Sequence, residues 1–407
     1  MIRILTAAEA SALIERKTVR LEEAERIVAP ILAAVRERGD AALLEYARKF
    51  DGFESSTVRI DIRGTLQPAF LKAVETAANN IREYAEAQLP REWFTDFPGG
   101  RRLGQIVRPL DAMGAYVPAG RYPLPSTLLM TVIPAQVAGV ATTCVACPNP
   151  SPEIMGIAQW LGVTHMFRMG GAQAIAAMAY GTDTVPKVDR IVGPGNIYVA
   201  AAKKLIAGET GIDFVAGPTE IVIIAADGDP RWIAADLLAQ AEHDVDASAI
   251  LLTTSRSLAD AVAQELDAQL ATLPTAAVAR PSIEANGAIV VLDSLEQAVE
   301  MSNALAPEHL ALHDGSLLAK IRHAGAVFVG AASPESAGDY ASGPNHVLPT
   351  SGAARQRGGL SAADFVKVIA VQELSREALA NLTPAITALA RAEGLEAHAR
   401  SAEVRNE

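Results

Sequence analysis

The feature that most constrains this chain is a regular alternation of strand-like and helix-like segments through its middle. The alternation starts with a strand near Met113–Val117 and continues through helix 126–137, strand 139–146, helix 152–161, strand 163–168, helix 172–180 and strand 188–192. A helix between two strands carries the chain back across the sheet, so the strands that it joins run parallel. This first series therefore predicts a parallel α/β unit.

A second series repeats the pattern after residue 220. It comprises strand 220–225, helix 230–243, strand 248–253, helix 257–272, strand 287–292, helix 294–304 and strand 325–330. A chain of 407 residues exceeds what one core usually supports, and 50% of its residues are hydrophobic. Two α/β domains are therefore the expected organisation.

The flanking sequence completes the predicted architecture. Helical periodicity covers residues 7–18 and 22–48, and a short strand follows at 58–62. We expect an α/β fold with two incomplete Rossmann-like domains, divided into an N-terminal helical segment at 1–21, a discontinuous domain at 22–115 and 221–360, a second domain at 116–220, and a C-terminal helical arm at 361–407.

Charge and cysteine content narrow the class of partner. The chain has 47 acidic and 35 basic residues, and no block of Lys or Arg interrupts the excess of negative charge. This argues against nucleic acid or an anionic membrane and favours a small-molecule substrate. The only two cysteines, Cys144 and Cys147, end an apolar run and are interpreted as a buried strand end. Their scarcity and the absence of a signal-like N-terminus predict a cytoplasmic protein.

Two glycine-containing turns in the first series follow a strand and open a helix. They are Gly170–Gln173 and Gly193–Asn196, and the second is followed by a helical segment at 197–206. A strict G-x-G-x-x-G is absent, so each turn could be an ordinary connection. Amides at a helix N-terminus can also hold a phosphate, and two such turns at strand ends favour a ligand crevice.

Three polar clusters beside apolar sequence offer ligands and a base. They are Gln240 with His243, the pair Glu308–His309, and Asp339 with nearby His346, while His398 lies alone near the C-terminus. Gln240 and His243 are three residues apart, so on a helix they share one face. Each cluster also has an ordinary explanation, such as a solvated helix face, a first helical turn or a turn cap. His165, His313 and His323 are interpreted as structural.

Seven strings in the chain resemble the histidinol dehydrogenase family, in order from about residue 20 to beyond His398. They are GAYVPAGRYPLPSTLLMTVIPAQVAGV, IVGPGNIYVAAAKKLI, GPTEIVIIA, DLLAQAEHD, NALAPEHLAL, AGDYASGPNHVLPTSG and EGLEAH. The resemblance implies a zinc- and NAD-dependent enzyme of histidine biosynthesis that oxidises L-histidinol to L-histidine through L-histidinal. It also implies one zinc per subunit and a domain-swapped homodimer with exchanged arms.

The resemblance also implies roles for individual residues. The zinc ligands would be Gln240, His243, Asp339 and, from the partner subunit, His398. Glu308 and His309 would be catalytic, and Tyr116, Gln173 and Asn196 would contact NAD. Substrate would contact Thr219, Glu393, the four metal ligands and the catalytic pair. Thr219 stands where some members have Ser and keeps the hydroxyl, whereas Ala119 stands where a Gly is usual.

Two other functions are weighed against this one. A related dehydrogenase that acts on another polyol or amino alcohol, such as a sulfopropanediol, has no imidazole to bind, so Glu393 and His398 would be expected to change. Both are present. A metal- or nucleotide-binding protein without turnover has no need of a base beside a carboxylate, and the pair Glu308–His309 argues against it.

Overall fold

A computed structural model of the chain describes residues 2–10, 13, 21–118 and 122–406. Within this part, two parallel sheets and a small antiparallel sheet make up the fold. The predicted α/β class is confirmed. Most of the predicted helix at 7–18, and Ala119, lie outside the described residues. No helix in the described ranges is long and apolar enough to cross a membrane.

Sheet 1 forms from the first series. Its strands are β2 (Arg59–Ile60), β5 (Ala112–Tyr116), β6 (Thr142–Ala146), β7 (His165–Phe167), β8 (Arg190–Val192) and β9 (Gly211–Ile212), in the order β2-β7-β6-β5-β8-β9. All pairs are parallel except β2 with β7. Its connecting helices are Ser126–Val137, Pro152–Trp160, Gly171–Tyr180 and Ile197–Ile206. Strand order reverses direction between β5 and β8, which opens a crevice at that point.

Sheet 2 forms from the second series. Its strands are β1 (Arg3–Thr6), β10 (Glu220–Ile224), β11 (Ser248–Thr253), β12 (Ala288–Val291), β13 (His309–Leu312) and β14 (Ala326–Val329), in the order β1-β12-β11-β10-β13-β14. All of its pairs are parallel, and its order reverses between β10 and β13. Its helices are Pro230–Ala241, Arg256–Leu270, Ala276–Asn286, Leu295–Leu305 and Glu335–Tyr340. The helix at Ala276–Asn286 was not predicted from the sequence.

The two helices that precede sheet 1 in the chain do not pack where the predicted domain division places them. Helices Glu22–Arg38 and Asp40–Asp51 share a core with sheet 1, where Val28 and Leu43 meet Met178 and Ile191. These helices therefore pack with sheet 1, although the sequence assigned them to a domain with residues 221–360. The N-terminal segment 1–21 also contributes a strand, β1, to the edge of sheet 2. Local periodicity predicts the type of an element and not the sheet against which it packs.

A long helix at Pro68–Gln88 was also not predicted. Its proline stands in the first turn, and it buries one face through Val74, Ala77, Ala78, Ile81 and Ala85. Proline at a helix start and apolar residues three and four apart are the usual signals of an amphipathic helix. The signals were therefore present in the sequence.

The C-terminal arm is not wholly helical as expected. It begins with β15 (Val366–Leu374), which pairs with β4 (Arg101–Pro109), and β4 pairs with β3 (Trp93–Phe97), all antiparallel. Helices Arg376–Ala392 and Glu396–Glu403 follow. Every residue of β15 is exposed or half-buried, and its short apolar run at 368–371 was not recognised as a strand.

The two cysteines lie in the core of sheet 1. Cys144 belongs to β6 and Cys147 directly follows it, and both are buried free thiols. Burial raises the pKa of Cys144 to about 12 and that of Cys147 to about 11. Thiols with such pKa values do not supply the thiolate that redox chemistry or metal binding needs. The interpretation as a buried strand end is confirmed.

Candidate active site

The polar clusters of the second series meet at the amino edge of sheet 2. β10 and β13 are parallel neighbours with Ile221 opposite His309, so Glu220 and Glu308 enter the sheet side by side. Helix Pro230–Ala241 returns to the same edge before β11 and carries Gln240 in its last turn. His243 follows two residues beyond the helix. The strand register thus brings together clusters that are far apart in sequence.

A chain of hydrogen bonds fixes Gln240 and Glu308. Gln240 Nε2 donates to Thr219 Oγ1 at 2.5 Å, and Thr219 Oγ1 donates to Glu308 Oε2 at 2.5 Å. The backbone N–H of Glu220 donates to the same Glu308 oxygen at 2.9 Å. Gln240 is fully buried, and its Oε1 has no hydrogen-bond partner among the described residues. The buried amide oxygen of Gln240 can therefore still accept a hydrogen bond.

His309 is held between two carboxylates. Its Nδ1 lies 3.6 Å from Glu308 Oε2 and 3.3 Å from the carbonyl oxygen of Glu220. Its Nε2 lies 3.5 Å from Asp339 Oδ1, without hydrogen-bond geometry to any described residue. The ring stacks on Phe328 with centroids 5.9 Å apart. The imidazole is therefore oriented on three sides and keeps one nitrogen for a ligand.

Asp339 reaches the site from the short helix Glu335–Tyr340. His346 Nδ1 lies 2.8 Å from the backbone carbonyl of Asp339, in reach of a hydrogen bond. His346, which the sequence left undecided, thus lines the same site. The alternative in which Glu308 opens a helix is wrong, because Glu308 directly precedes strand β13.

Two acids near the site, the buried Glu335 and the half-buried Asp236, were missed by sequence reasoning. Asp236 and Glu335 each stand four residues before a candidate ligand, Gln240 and Asp339, on the same helix. Glu335 is 1% exposed, and its Oε2 has no hydrogen-bond partner among the described residues. Burial raises the pKa of Asp236 to about 6. Their position one helical turn from a ligand is the signal that could have found them.

The carboxylates and imidazoles of the site shift one another's pKa values. Burial raises the pKa of Glu308 to about 7 and raises that of Glu335 well above its usual range. Burial alone would lower the pKa of His309, but the charges of Glu308, Asp339 and Glu335 outweigh it and raise that pKa to about 10. Desolvation lowers the pKa of His243, although its side chain is partly open to solvent. So many carboxyl groups around one imidazole favour a cation at this edge.

The two arm residues are not brought to this edge within the chain. His398 lies exposed on helix Glu396–Glu403, and no charge interaction connects it with His243 or Asp339. Glu393 is exposed at the end of the preceding helix. Among the described residues no three His, Cys, Asp or Glu side chains form a metal-binding group. Of the four expected zinc ligands, Gln240, His243 and Asp339 lie at this edge, and His398 does not.

The three residues expected to contact NAD lie at the carboxyl ends of sheet 1 strands, whereas the polar clusters lie at the amino ends of sheet 2 strands. Tyr116 ends β5, and its hydroxyl accepts a hydrogen bond from the Gly171 N–H at 3.1 Å. Gln173 is buried in the helix that starts at Gly171. Asn196 follows β8 and caps its helix by accepting from Tyr198 N–H at 3.1 Å. Tyr116 and Asn196 thus flank the point where strand order reverses.

Each of the two glycine turns already binds a carboxylate of the chain. Asp51 Oδ2 accepts from the Gly170 N–H at 3.0 Å and from Gln173 Nε2 at 3.1 Å. Asp213 Oδ2 accepts from the Gly193 N–H at 2.8 Å. Whether either turn contacts a ligand stays a prediction.

Comparisons with known proteins agree along the whole chain. A family model described as histidinol dehydrogenase matches residues 14–406. The histidinol dehydrogenase of Syntrophotalea carbinolica is 47% identical over 100% of this chain and 99% of its own length, and that of Halalkalibacterium halodurans is 48% identical over 94% of each. The crystal structure of histidinol dehydrogenase from Elizabethkingia anophelis superposes with a TM-score of 0.94 at 36% identity, over 99% of this chain and 98% of that one.

Proposed function

The chain belongs to the histidinol dehydrogenase family and has its NAD-dependent activity in histidine biosynthesis, and we propose that the reaction takes place at the amino edge of sheet 2. There L-histidinol would be oxidised to L-histidine through L-histidinal. The observation that carries this proposal is His309, which is fixed between Glu308 and Asp339 and whose Nε2 faces Asp339 Oδ1 at 3.5 Å without a hydrogen bond to it.

His309 is the base of the proposed reaction. An alcohol carbon gives up a hydride readily only when its hydroxyl proton is removed, and Nε2 is positioned to take that proton. The imidazole must be neutral to do so. In the acid-rich site without a cation the pKa of His309 is raised to about 10, and a divalent cation beside Asp339 would oppose that shift. NAD, when bound, would accept the hydride.

Glu308 is proposed to activate the water that the aldehyde step consumes. Its Oε2 accepts from Thr219 and from the backbone of Glu220, which leaves Oε1 for a water molecule. Burial raises the pKa of Glu308 to about 7, so its carboxylate is a stronger base than an exposed one near neutral pH.

Gln240, His243 and Asp339 would hold one zinc per subunit, with His398 of the partner subunit as a fourth ligand. The buried Gln240 Oε1 without a partner supports this set, since Thr219 uses the other end of the same amide. A mixed N/O shell suits zinc, which when bound would fix the amine and imidazole of the substrate. Thr219, Glu393 and the residues of the shell and catalytic pair would contact that substrate.

The exposed apolar side chains of the C-terminal arm support a homodimer with exchanged arms. Leu389, Leu395 and Val404 are 68%, 44% and 57% exposed, and His398 is exposed among them. Apolar side chains so exposed favour burial against another surface. A small-molecule substrate in the cytoplasm completes the proposal, and the buried free thiols Cys144 and Cys147 fit a reducing compartment.

NAD would bind at the carboxyl edge of sheet 1, in contact with Tyr116, Gln173 and Asn196. The position of Tyr116 and Asn196 on either side of the reversal of strand order supports this, because ligands of open α/β sheets bind at such points. Residues 116–220 would then be the NAD-binding unit, and 221–360 would carry the metal and the catalytic pair.

The oxidations of histidinol and of histidinal can be measured separately, which distinguishes the role of Glu308 from that of the other site residues. Glu308→Gln keeps an acceptor for Thr219 but cannot take a proton, so histidinal oxidation should fall about 100-fold and histidinol oxidation much less. Single-turnover measurements with each substrate check this. Glu296→Gln, the same change in a surface ion pair with Lys320, is the control. An equal loss in both steps would remove the water-activating role.

A further inference from the structure

The turn Gly193–Asn196, which leads from β8 into the helix Ile197–Ile206, rests on a buried ion pair. We propose that this pair, Lys203 and Asp213, positions the turn for NAD binding. This inference rests on the proposed function, because it takes Asn196 as a cofactor contact. Lys203 and Asp213 are positioning residues in this account and do not touch the reacting atoms.

The pair holds both polar groups of one peptide residue. Lys203 Nζ donates to the Gly193 carbonyl oxygen at 2.8 Å, and the Gly193 N–H donates to Asp213 Oδ2 at 2.8 Å. Lys203 Nζ also forms an ion pair with Asp213 Oδ1. The two side chains are 3% and 0% exposed. Gly193 is thus fixed through its N–H, its carbonyl and the charge between them.

Gly193 in turn fixes the distance between the two sides of the crevice. Its φ is 109°, which favours glycine, and a Cβ there would overlap the carbonyl oxygen of Tyr116. The turn therefore lies directly against the end of β5. Since Asn196 is three residues further on, any shift of Gly193 moves Asn196 relative to Tyr116.

Fold stability alone is a weak reason for such a pair. Removing two charges from water costs free energy that their attraction barely returns, and apolar side chains of similar volume often stabilise a core as well. Apolar side chains could not bind the N–H and the carbonyl of Gly193. The pair therefore acts by fixing the geometry of the turn.

The neighbouring residue provides a matched comparison. Lys204 stands on the same helix and forms an ion pair with Glu25 at 2.5 Å, but the two side chains are 51% and 22% exposed. That pair contacts neither Gly193 nor Asn196. Lys204→Met therefore removes a charge and an ion pair from the same helix without releasing the turn.

The test measures NAD binding in the full-length protein. In Lys203→Met, the dissociation constant for NAD from calorimetry and the KM for NAD should both rise about tenfold or more. Zinc content and kcat at saturating NAD should stay within about twofold. Lys204→Met should leave both NAD constants unchanged.

A double variant separates positioning from stability and serves if Lys203→Met does not fold. Lys203→Met/Asp213→Asn has no unpaired buried charge, so its thermal midpoint should recover towards wild type while its affinity for NAD stays low. Wild-type affinity for NAD in the double variant would overturn the inference. Asn196→Ser, which keeps a capping hydroxyl, tests the premise: unchanged NAD affinity there would reject the cofactor position itself, whereas loss there with none in the double variant would reject only the positioning role.

Discussion

Sheets 1 and 2 have the same topology in their centres but use opposite edges. Each reverses its strand order once, between β5 and β8 in sheet 1 and between β10 and β13 in sheet 2. The proposed NAD crevice lies beyond the carboxyl ends of sheet 1, where the rule for open α/β sheets places ligands. The proposed catalytic pair lies at the amino ends of sheet 2 strands. The topological rule therefore agrees with one of the two proposed sites and not with the other.

The two edges also differ in how completely their polar groups are paired. At sheet 1, Tyr116, Gln173 and Asn196 all hydrogen-bond to neighbouring residues. At sheet 2, Gln240 Oε1, Glu335 Oε2 and His309 Nε2 are buried without a partner in the described part of the chain. A buried polar atom without a partner is costly, so it needs a reason. The difference supports the proposal that groups from outside the chain complete the sheet 2 site.

The largest expected effect comes from the base at sheet 2. His309→Asn should lower turnover of both histidinol and histidinal by about 10²- to 10⁴-fold, because both hydride transfers need the same proton acceptor. Affinity for NAD, which belongs to sheet 1, should not change. Steady-state kinetics with each substrate, together with calorimetry for NAD, check the separation. A variant that lost NAD binding instead of turnover would break the division between the two edges.

A smaller effect should follow from loss of the metal. Asp339→Asn and His398→Ala change opposite sides of the proposed shell, one built into the chain and one on the exposed arm. Each should lower zinc affinity about 10- to 100-fold while the protein stays folded, since the large cores do not depend on this ion. Zinc content after dialysis against a chelator is the measurement.

The control for these ligands is His313→Gln, which removes a histidine that follows β13 at the other edge of sheet 2. It should keep its zinc. Full zinc occupancy in both ligand variants would place the metal elsewhere.

The smallest expected effect is on stability as a function of pH in metal-free protein. Folded His309 keeps a proton up to about pH 10, because neighbouring carboxylates outweigh the opposite effect of burial on its pKa, whereas an unfolded histidine loses it near 6.5. A state that holds the extra proton loses stability as pH rises. The thermal midpoint should therefore fall between pH 7 and 10. The double variant Glu308→Gln/His309→Asn should show a smaller fall, and an identical fall would contradict the charge balance described for this site.

Much of the fold was accessible from local sequence patterns. Helix 126–137 was predicted with the bounds that the structure gives, and most strands of both series were found to within a few residues, whereas β1, β9 and β13 were not predicted. Helices of this kind and buried parallel strands have strong periodicity or long apolar runs. The exposed β15 has only a short apolar run, and the packing of helix Glu22–Arg38 depends on contacts with residues more than a hundred positions away.

The site was accessible in part. Gln240, His243, Glu308, His309 and Asp339 were singled out as polar clusters, the family resemblance implied their roles, and the structure brings them to one edge. Asp51 was missed because its role depends on a turn at Gly170 that is distant in sequence. Lys203 and Asp213 were missed for the same reason, since neither has a local pattern that distinguishes a buried pair from a surface one.

The central claim is that the site at sheet 2 needs His398 from another chain, whereas the crevice at sheet 1 is complete within one chain. Mixing unfolded His398→Ala and His309→Ala chains and refolding them together tests this claim directly. A heterodimer would hold one site with both defects and one with neither, so activity should recover to about a quarter of wild type if pairing is random. Each variant refolded alone should stay inactive. No recovery in a sample with demonstrated heterodimers would place His398 in the site of its own subunit and contradict the exchange.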